Sequence, residues 1–512
     1  MKFSKIALFF DIIVIGALAS FAGEKPVKDA DKHPTVYVTF WFDTEDYILP
    51  ESDGAAMRLA EIFSARGVRA TFKIVGEKAR VLRERGREDV ILALSRHDIA
   101  YHSTYHSVHP TPSEYSRDLD WQEGVQEFIR REGLGLQWLN ETFGVSPSCY
   151  GQPGSSWTPE SYAALRQWNI PLYLDETSHV NLNDRPFRYG GVLNILELGD
   201  CVVRTRDWTD ESLQDACRRF DKARQELIGE GGGIISIYYH PCEWVHEQFW
   251  DGVNFAKGAN PPREEWKLPP KKSPEATEQA FRIFEQYLDH VIQQDSVQLV
   301  TAREIASLYA DEAYNQPLDK NDLQKIAASF SERISFVPLD ARRIVSAAEG
   351  LYALADILDR ATQLKDEEDL LQTSYPSASH LKFAYGPASA PDRFAEEAKA
   401  SWNAMKQTAR DIVETIDRTE QLPSVVWTDG QPWRLEDFAA TLAVLLTDEW
   451  KSPGQISSIS LRKGNFEARK YVADDGPNLW GWVIFPNGFN APKMMEIAKL
   501  QAWTLKPAVL RK

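Results

Sequence analysis

TVYVTFWFDTED, residues 35–46, decides the fold of this chain. Its first nine residues are a β-branched and aromatic run of the kind that forms a strand. The run stops at three carboxylates, Asp43, Glu45 and Asp46. Similar runs follow at RATFKIVG (69–76), HDIAYHS (97–103), SPSCYG (146–151), IPLYLDE (170–176), GIISIYYH (233–240) and SVQLVT (296–301). Amphipathic stretches lie between them, at 54–66, 118–143 and 274–293. Strands alternating with helices predict an α/β fold on a parallel sheet, open or closed into a barrel. Asp43, His102, Gln152, Asp175 and His240 all fall at or just beyond the C-terminal ends of these runs. Barrel enzymes keep their chemistry at that rim.

The chain has 512 residues, too many for one ordinary domain. With 43% apolar and 11% aromatic residues it can bury a sizeable core. Lys plus Arg total 58 and Asp plus Glu 75, so the formal charge is 58 − 75 = −17. That argues against a general nucleic-acid binder, which needs a basic face, and against adsorption to anionic lipid through a polybasic surface. The first 22 residues carry Lys2 and Lys5, then an apolar run ending in small residues, the pattern of a signal peptide. Asp11 in mid-run argues against a retained anchor. No later stretch approaches a membrane-spanning length. The expectation is a secreted or periplasmic protein with no membrane span in the mature chain. In that compartment Cys149, Cys201, Cys217 and Cys242 admit disulfides, whose pairing the sequence does not specify. None forms a CxxC pair, which argues against a cysteine zinc site.

The segment His102-Ser103-Thr104-Tyr105-His106 sets two histidines four apart directly after a strand. Two imidazoles on one face can hold a divalent cation from one side. A carboxylate from the Asp43–Asp46 cluster would complete a two-histidine, one-acid site with open positions for water. His240 ends an apolar strand before Pro241 and, at the same rim, is placed to act as a general acid. The insert CEWVHEQFWDGVNFAKGANPPREEWKLPPKKS (242–273) is long and aromatic. A loop of this length inside a compact domain is usually functional or disordered, and its aromatics argue against disorder, so Trp244 and Trp250 are candidates for stacking on sugar rings. Plain packing over the barrel mouth is the other use for them.

The ordered set FDTED, GVRATFKIVG, HDIAYHSTYH, a Pro-containing strand end, YYHP and VQLVTAREIASLY resembles the NodB-type polysaccharide deacetylases. These are carbohydrate esterases that remove acetyl groups from glycans. The resemblance covers about residues 35–310 and implies a distorted (β/α)7-type barrel. It implies Asp43 as catalytic base, His240 as catalytic acid, His102 and His106 as the metal pair, and a divalent cofactor, zinc by preference. The family's third metal ligand, an Asp directly after the base, is replaced here by Thr44, which shifts that role to Glu45 or Asp46. The family's Arg-x-Pro-aromatic motif stands here as Gly151-Gln152-Pro153-Gly154. The arginine that orients the base is therefore missing, and Gln152 is a neutral substitute at the substrate side. Gly154 would give its backbone N–H to the oxyanion, a role that survives a side-chain change. Asp175 or Glu176 is expected to orient His240. The partner implied is a polysaccharide or other glycan. The departures from the motifs also admit a non-catalytic glycan-binding protein, or a hydrolase of a different amide or ester.

After residue 310 the pattern changes. Stretches 341–364, 393–416 and 435–446 read as helices, among short apolar runs SVVW (424–427), ISSISL (456–461) and LWGWVIF (479–485). This predicts a leader over 1–22, a barrel over 33–310 and a smaller α/β or α+β accessory domain over 311–512. Within the last, LPSVVWTDGQPWRLEDFAATLAVLL is similar to envelope-polymer-binding repeats, with a packing role as the alternative.

Overall fold

The computed structural model describes residues 34–175, 178–195, 207–361, 380–449 and 458–511. The expected leader, Cys201 and Glu176 lie outside them. Each strand-like run forms a strand: β1 (Val36–Thr44), β2 (Thr71–Ile74), β3 (Asp98–Tyr101), β4 (Cys149–Tyr150) and β5 (Leu172–Leu174). A hairpin not foreseen in the sequence, β6 (Phe187–Tyr189) and β7 (Val192–Ile195), precedes β8 (Gly233–Tyr239) and β9 (Val297–Leu299). Its turn is made by Gly190 and Gly191, both at positive φ, a conformation that glycine adopts without a Cβ clash.

These strands and a short C-terminal one, Lys506–Pro507, make a ten-stranded sheet. Its order begins with Lys506–Pro507 and continues β6-β7-β5-β4-β3-β2-β1-β8, with β9 paired to the foot of β1. The pairs among β1 to β5, and β5 with β7, are parallel. The path ends at β8 on one side, so the sheet curls into the expected distorted barrel without closing. Helices α1 (Pro50–Ala65), α2 (Gly76–Glu84), α3 (Glu88–Leu94), α4 (Pro112–Ser116), α5 (Trp121–Phe143), α6 (Ser161–Gln167), α7 (Asp210–Gly229), α8 (Trp250–Asn254) and α9 (Pro274–Ile292) complete this part. Helix α9 starts where Ser273 accepts the Ala276 N–H with Pro274 at the first position, a cap worth about 1 kcal/mol. Between α1, α9 and the sheet lies an aromatic core of Phe40, Phe42, Phe63, Phe72, Phe284 and Tyr287.

The C-terminal third packs the helices Ala347–Ala361 and Trp402–Thr419 together. The stretch 424–446 forms a hairpin, Val426–Thr428 with Gln431–Trp433, and then a helix, Leu435–Val444, with Phe438 buried. This third is fastened to the barrel at the sheet edge and across its mouth. Lys506–Pro507 extends the sheet beside β6, and Val180 bridges Val472. The Lys506 ammonium is buried against Asp311 (2.6 Å) and Glu349 (2.9 Å). LWGWVIF makes no strand. It crosses the barrel mouth. Among the described residues Cys149, Cys217 and Cys242 are free thiols, and no helix is long and apolar enough to cross a membrane.

Candidate active site

The strand ends converge on one cavity of about 690 Å³, whose lining includes Asp43, Glu45, His102, His106, Gln152, Gly154, Asp175 and His240. The register explains why. Asp43 pairs with Lys73, and Tyr101 pairs with both Ile74 and Tyr150, so residues just past Tyr101 and Tyr150 emerge beside Asp43.

Glu45, His102 and His106 are buried and bring one ligand atom each within 4.8 Å of one another. The His106 Nε2 lies 2.8 Å, and the His102 Nε2 4.0 Å, from Glu45 Oε2. The His102 Nδ1 lies 3.0 Å from the Gly151 carbonyl oxygen, and the His106 Nδ1 2.6 Å from Ser107 Oγ. An Nδ1–H donated to that carbonyl leaves the His102 Nε2 lone pair facing the glutamate, as a metal-ligating imidazole requires. Burial pushes His102 well below the usual histidine range, so it is neutral. Glu45 Oε1 is buried without a hydrogen bond, while the other oxygen of that carboxylate is paired with His106 Nε2. An orphaned buried polar atom is costly, and a divalent cation would satisfy it. The residues therefore fit a metal. A second cluster, Asp43, His102 and Asp175, holds the Lys73 ammonium between its two carboxylates, which leaves no place there for a cation.

The loop carrying the histidines is held firmly. Ser103 and His106 have positive φ, 62° and 56°, a conformation that costs a residue with a side chain about 1–3 kcal/mol unless its surroundings enforce it. They do so here: Thr104 N donates to the buried Glu132 carboxylate at 2.6 Å, His106 N to Ser103 Oγ at 3.1 Å, and Gly76 N to the Ser103 carbonyl at 2.9 Å.

Asp43 is where Lys73 enters, a residue that the sequence reading passed over. The buried Lys73 Nζ lies 2.9 Å from Asp43 Oδ1, 2.7 Å from Asp175 Oδ2 and 2.9 Å from the Leu174 carbonyl oxygen. The ammonium donates to Asp175 Oδ2 and the Leu174 carbonyl, and it is ion-paired with Asp43. Burial alone would raise the Asp43 carboxyl, but the Lys73 and His240 charges help to hold it below its ordinary value. Burial likewise works against the Lys73 charge, and the Asp175 and Asp43 carboxylates outweigh it. Gly151 stands where the resembled family has its arginine. A Cβ there would sit 2.1 Å from Lys73 Nζ, so the lysine occupies the space next to the glycine. The signal was present in RATFKIVG, since a charged residue inside an apolar strand must find a partner.

His240 lies with Nε2 3.8 Å from Asp43 Oδ2. Its orienting partner is Glu243, whose Oε1 lies 2.8 Å from Nδ1 and accepts the His240 backbone N–H at 3.0 Å. Asp175, the expected partner, is engaged by Lys73 instead. Burial disfavours the imidazolium, but the Glu243 hydrogen bond and the Glu45 charge prevail, and His240 is pushed up to about 9.

Three further expectations move. Asp46 is turned away from the histidine pair: its Oδ1 accepts the N–H groups of Ile48 and Leu49, and its Oδ2 lies 3.0 Å from His246 Nδ1. It shapes the turn into α1. Trp244 packs in the core against Tyr239, Phe281 and Phe284. Trp250 is buried among Tyr47, Phe255 and Trp266. Neither lines the cavity, because the insert folds inward on its own aromatics. Aromatics that do line the cavity include Phe249, whose ring meets His240 at 4.9 Å, and Trp482, whose ring meets His106 at 5.2 Å. Gln152 stays at the wall, its Nε2 donating to the Gly154 carbonyl at 3.1 Å.

No protein-family model and no curated protein matches the chain. Among solved structures it is similar to a protein of polysaccharide deacetylase type from Mycobacterium smegmatis, at 16% identity over 55% of this chain and 91% of that chain, with a TM-score of 0.36. It is also similar to a mutant of a peptidoglycan deacetylase from Bacillus subtilis (13%, 54% and 94%, TM-score 0.27). A third is a CE4 family pseudoenzyme from Bacillus anthracis (12%, 54% and 66%, TM-score 0.30). The solved structures are thus of the NodB-type kind that the motifs resemble, at low identity and over about half of this chain.

Proposed function

We propose that the chain is a metal-dependent hydrolase that removes acetyl groups from an N-acetylhexosamine polysaccharide of the cell envelope or extracellular space. The observation that carries this reading is the meeting of Asp43, Glu45, His102, His106 and His240 around one cavity. His102, His106 and Glu45 would hold the divalent cation, and a two-imidazole, one-carboxylate donor set suits zinc. When bound, such a cation polarises the acetyl carbonyl and acidifies water. The ionised Asp43 takes a proton from the attacking water, and Lys73 keeps its carboxylate charged and aimed. His240, held through Nδ1 by Glu243, donates from Nε2 to the leaving nitrogen as the C–N bond breaks. The water oxygen leaves in acetate and the sugar retains a free amine. The Gly154 N–H is offered to the oxyanion.

A non-catalytic glycan-binding protein was the alternative, and its main ground was the missing arginine. Lys73 supplies a cation to the base from another strand, which favours the enzyme. The test is acetate release from chitin oligomers and peptidoglycan by the metal-loaded protein. We expect Asp43→Asn to lower the rate about 10²–10⁴-fold, the usual contribution of a general base. Chelation should abolish release and zinc restore it. A folded, zinc-loaded wild type that releases no acetate from either glycan would sink the reading.

A further inference from the structure

The cavity wall opposite the strand ends comes from the C-terminal third. Asn478, Leu479, Gly481, Trp482 and Val483 line it, and Trp482 crosses from one barrel loop to another. Its backbone N–H donates to Ser155 Oγ at 3.2 Å, beside Gly154, and its indole Nε1 donates to Asp251 Oδ2 at 2.8 Å, on α8. A Cβ added to Gly154 would lie 2.2 Å from the Trp482 ring, so the indole rests directly on that turn. Two further bonds fix the segment, from Lys257 N to the Val483 carbonyl (2.9 Å) and from Gly258 N to the Ile484 carbonyl (2.7 Å). Ile484 is buried with Trp250 and Phe255. These ties make 482–484 a fixed wall.

A groove that accepts a long polymer must be open at both ends. Here the Trp482 bridge joins the 152–155 turn to α8 and closes one side of the cavity beside the His106 ring. The space beside this wall, about 690 Å³, is within the ordinary range of small-ligand pockets. The geometry points to Trp482 as a specificity-determining residue that makes the site select the terminal sugar of a chain, or a short oligosaccharide, over sugars inside a long polymer. This rests on the deacetylase reading above and adds the position at which the substrate is attacked.

The probes are N-acetylglucosamine oligomers from dimer to hexamer, incubated with the zinc-loaded full chain, with each free amine located by mass spectrometry. The wild type should deacetylate a terminal sugar first, at a rate nearly independent of length. Trp482→Ala should raise the internal-to-terminal ratio on the hexamer roughly tenfold, a difference typical of one altered pocket contact. Trp482→Phe keeps a ring on Gly154, loses the bond to Asp251, and should shift the ratio less. A wild type that attacks internal sugars as readily as terminal ones overturns the inference whatever the variants do. A folded Trp482→Ala protein with the wild-type pattern overturns it too. No acetate from any oligomer would instead count against the deacetylase reading, and this inference would go with it.

Discussion

The floor and the walls of the cavity are built differently. The floor is set by backbone ladders: β1, β2, β3 and β4 lie in parallel register, and Asp43, His102 and Gly151 follow from where those strands end. The walls are set by side chains from distant loops, with Phe249 and Asp251 from the long insert and Trp482 from beyond the barrel. Sheet register tolerates little slippage, which suits groups that must meet within hydrogen-bond distance of a reacting atom. Loops on a rigid scaffold are freer to vary, which suits the part of a site that chooses the substrate. Changes to the floor should therefore cost both fold and chemistry, and changes to the wall should cost selection alone.

Lys73→Met gives the sharpest break of that contrast. It would leave Asp43 and Asp175 buried and facing each other without their cation. Removing one partner of a buried ion pair costs about 3–5 kcal/mol, and an Asp43 that holds its proton can no longer act as the base. We expect denaturant unfolding to register a loss of that size, with acetate release down at least about 10²-fold. Near-normal stability and turnover would show that Lys73 neither holds the floor together nor tunes Asp43.

The aromatics separate core from wall within one insert. Trp244→Ala should cost about 3–5 kcal/mol through the cavity it leaves among Tyr239, Phe281 and Phe284, with KM unchanged in whatever protein folds. Phe249, 40% exposed at the mouth, should behave in the opposite way. Phe249→Ala is expected to change stability by no more than about 0.5 kcal/mol and to raise KM several-fold. A KM effect at Trp244, or a large stability loss at Phe249, would undo the assignment of wall and core.

This contrast also marks what the sequence could convey. Strand runs, their alternation with helices and the polar residues at their ends are local patterns, and the rim with Asp43, His102, His106 and His240 follows from them. Lys73 left a local trace, a lone charge in RATFKIVG, but its partners lie on β1 and after β5, and only the folded sheet brings them together. Glu243 sat three residues from His240, within reach of a capping arrangement, and went unread because the family pattern directed attention to Asp175. Trp482 left no trace at all. Its contacts with Ser155 and Asp251 are more than two hundred residues away in the chain, and a short apolar run in a separate region carries no sign of where it docks.

Glu160 provides a smaller test, since it is a carboxylate as buried as Asp43 but without a cation in contact. It sits at the start of α6 and accepts from Thr158 Oγ1 through Oε2, while Oε1 has no partner. Burial is the largest influence and raises it from 4.5 to about 7, with Thr158 and a distant Lys493 opposing weakly. The folded chain therefore keeps a proton that the unfolded chain releases between about 4.5 and 7. Stability must fall as pH rises through that window. The penalty is absent below it and complete above, at up to roughly 3 kcal/mol from about 1.4 kcal/mol per tenfold change in the proton equilibrium. Glu160→Gln should thus be more stable than wild type at pH 8 and match it at pH 4, read from denaturant midpoints at the two values. An equal difference at both would mean that Glu160 is not protonated in the fold. Burial without a cation would then not be what distinguishes it from Asp43.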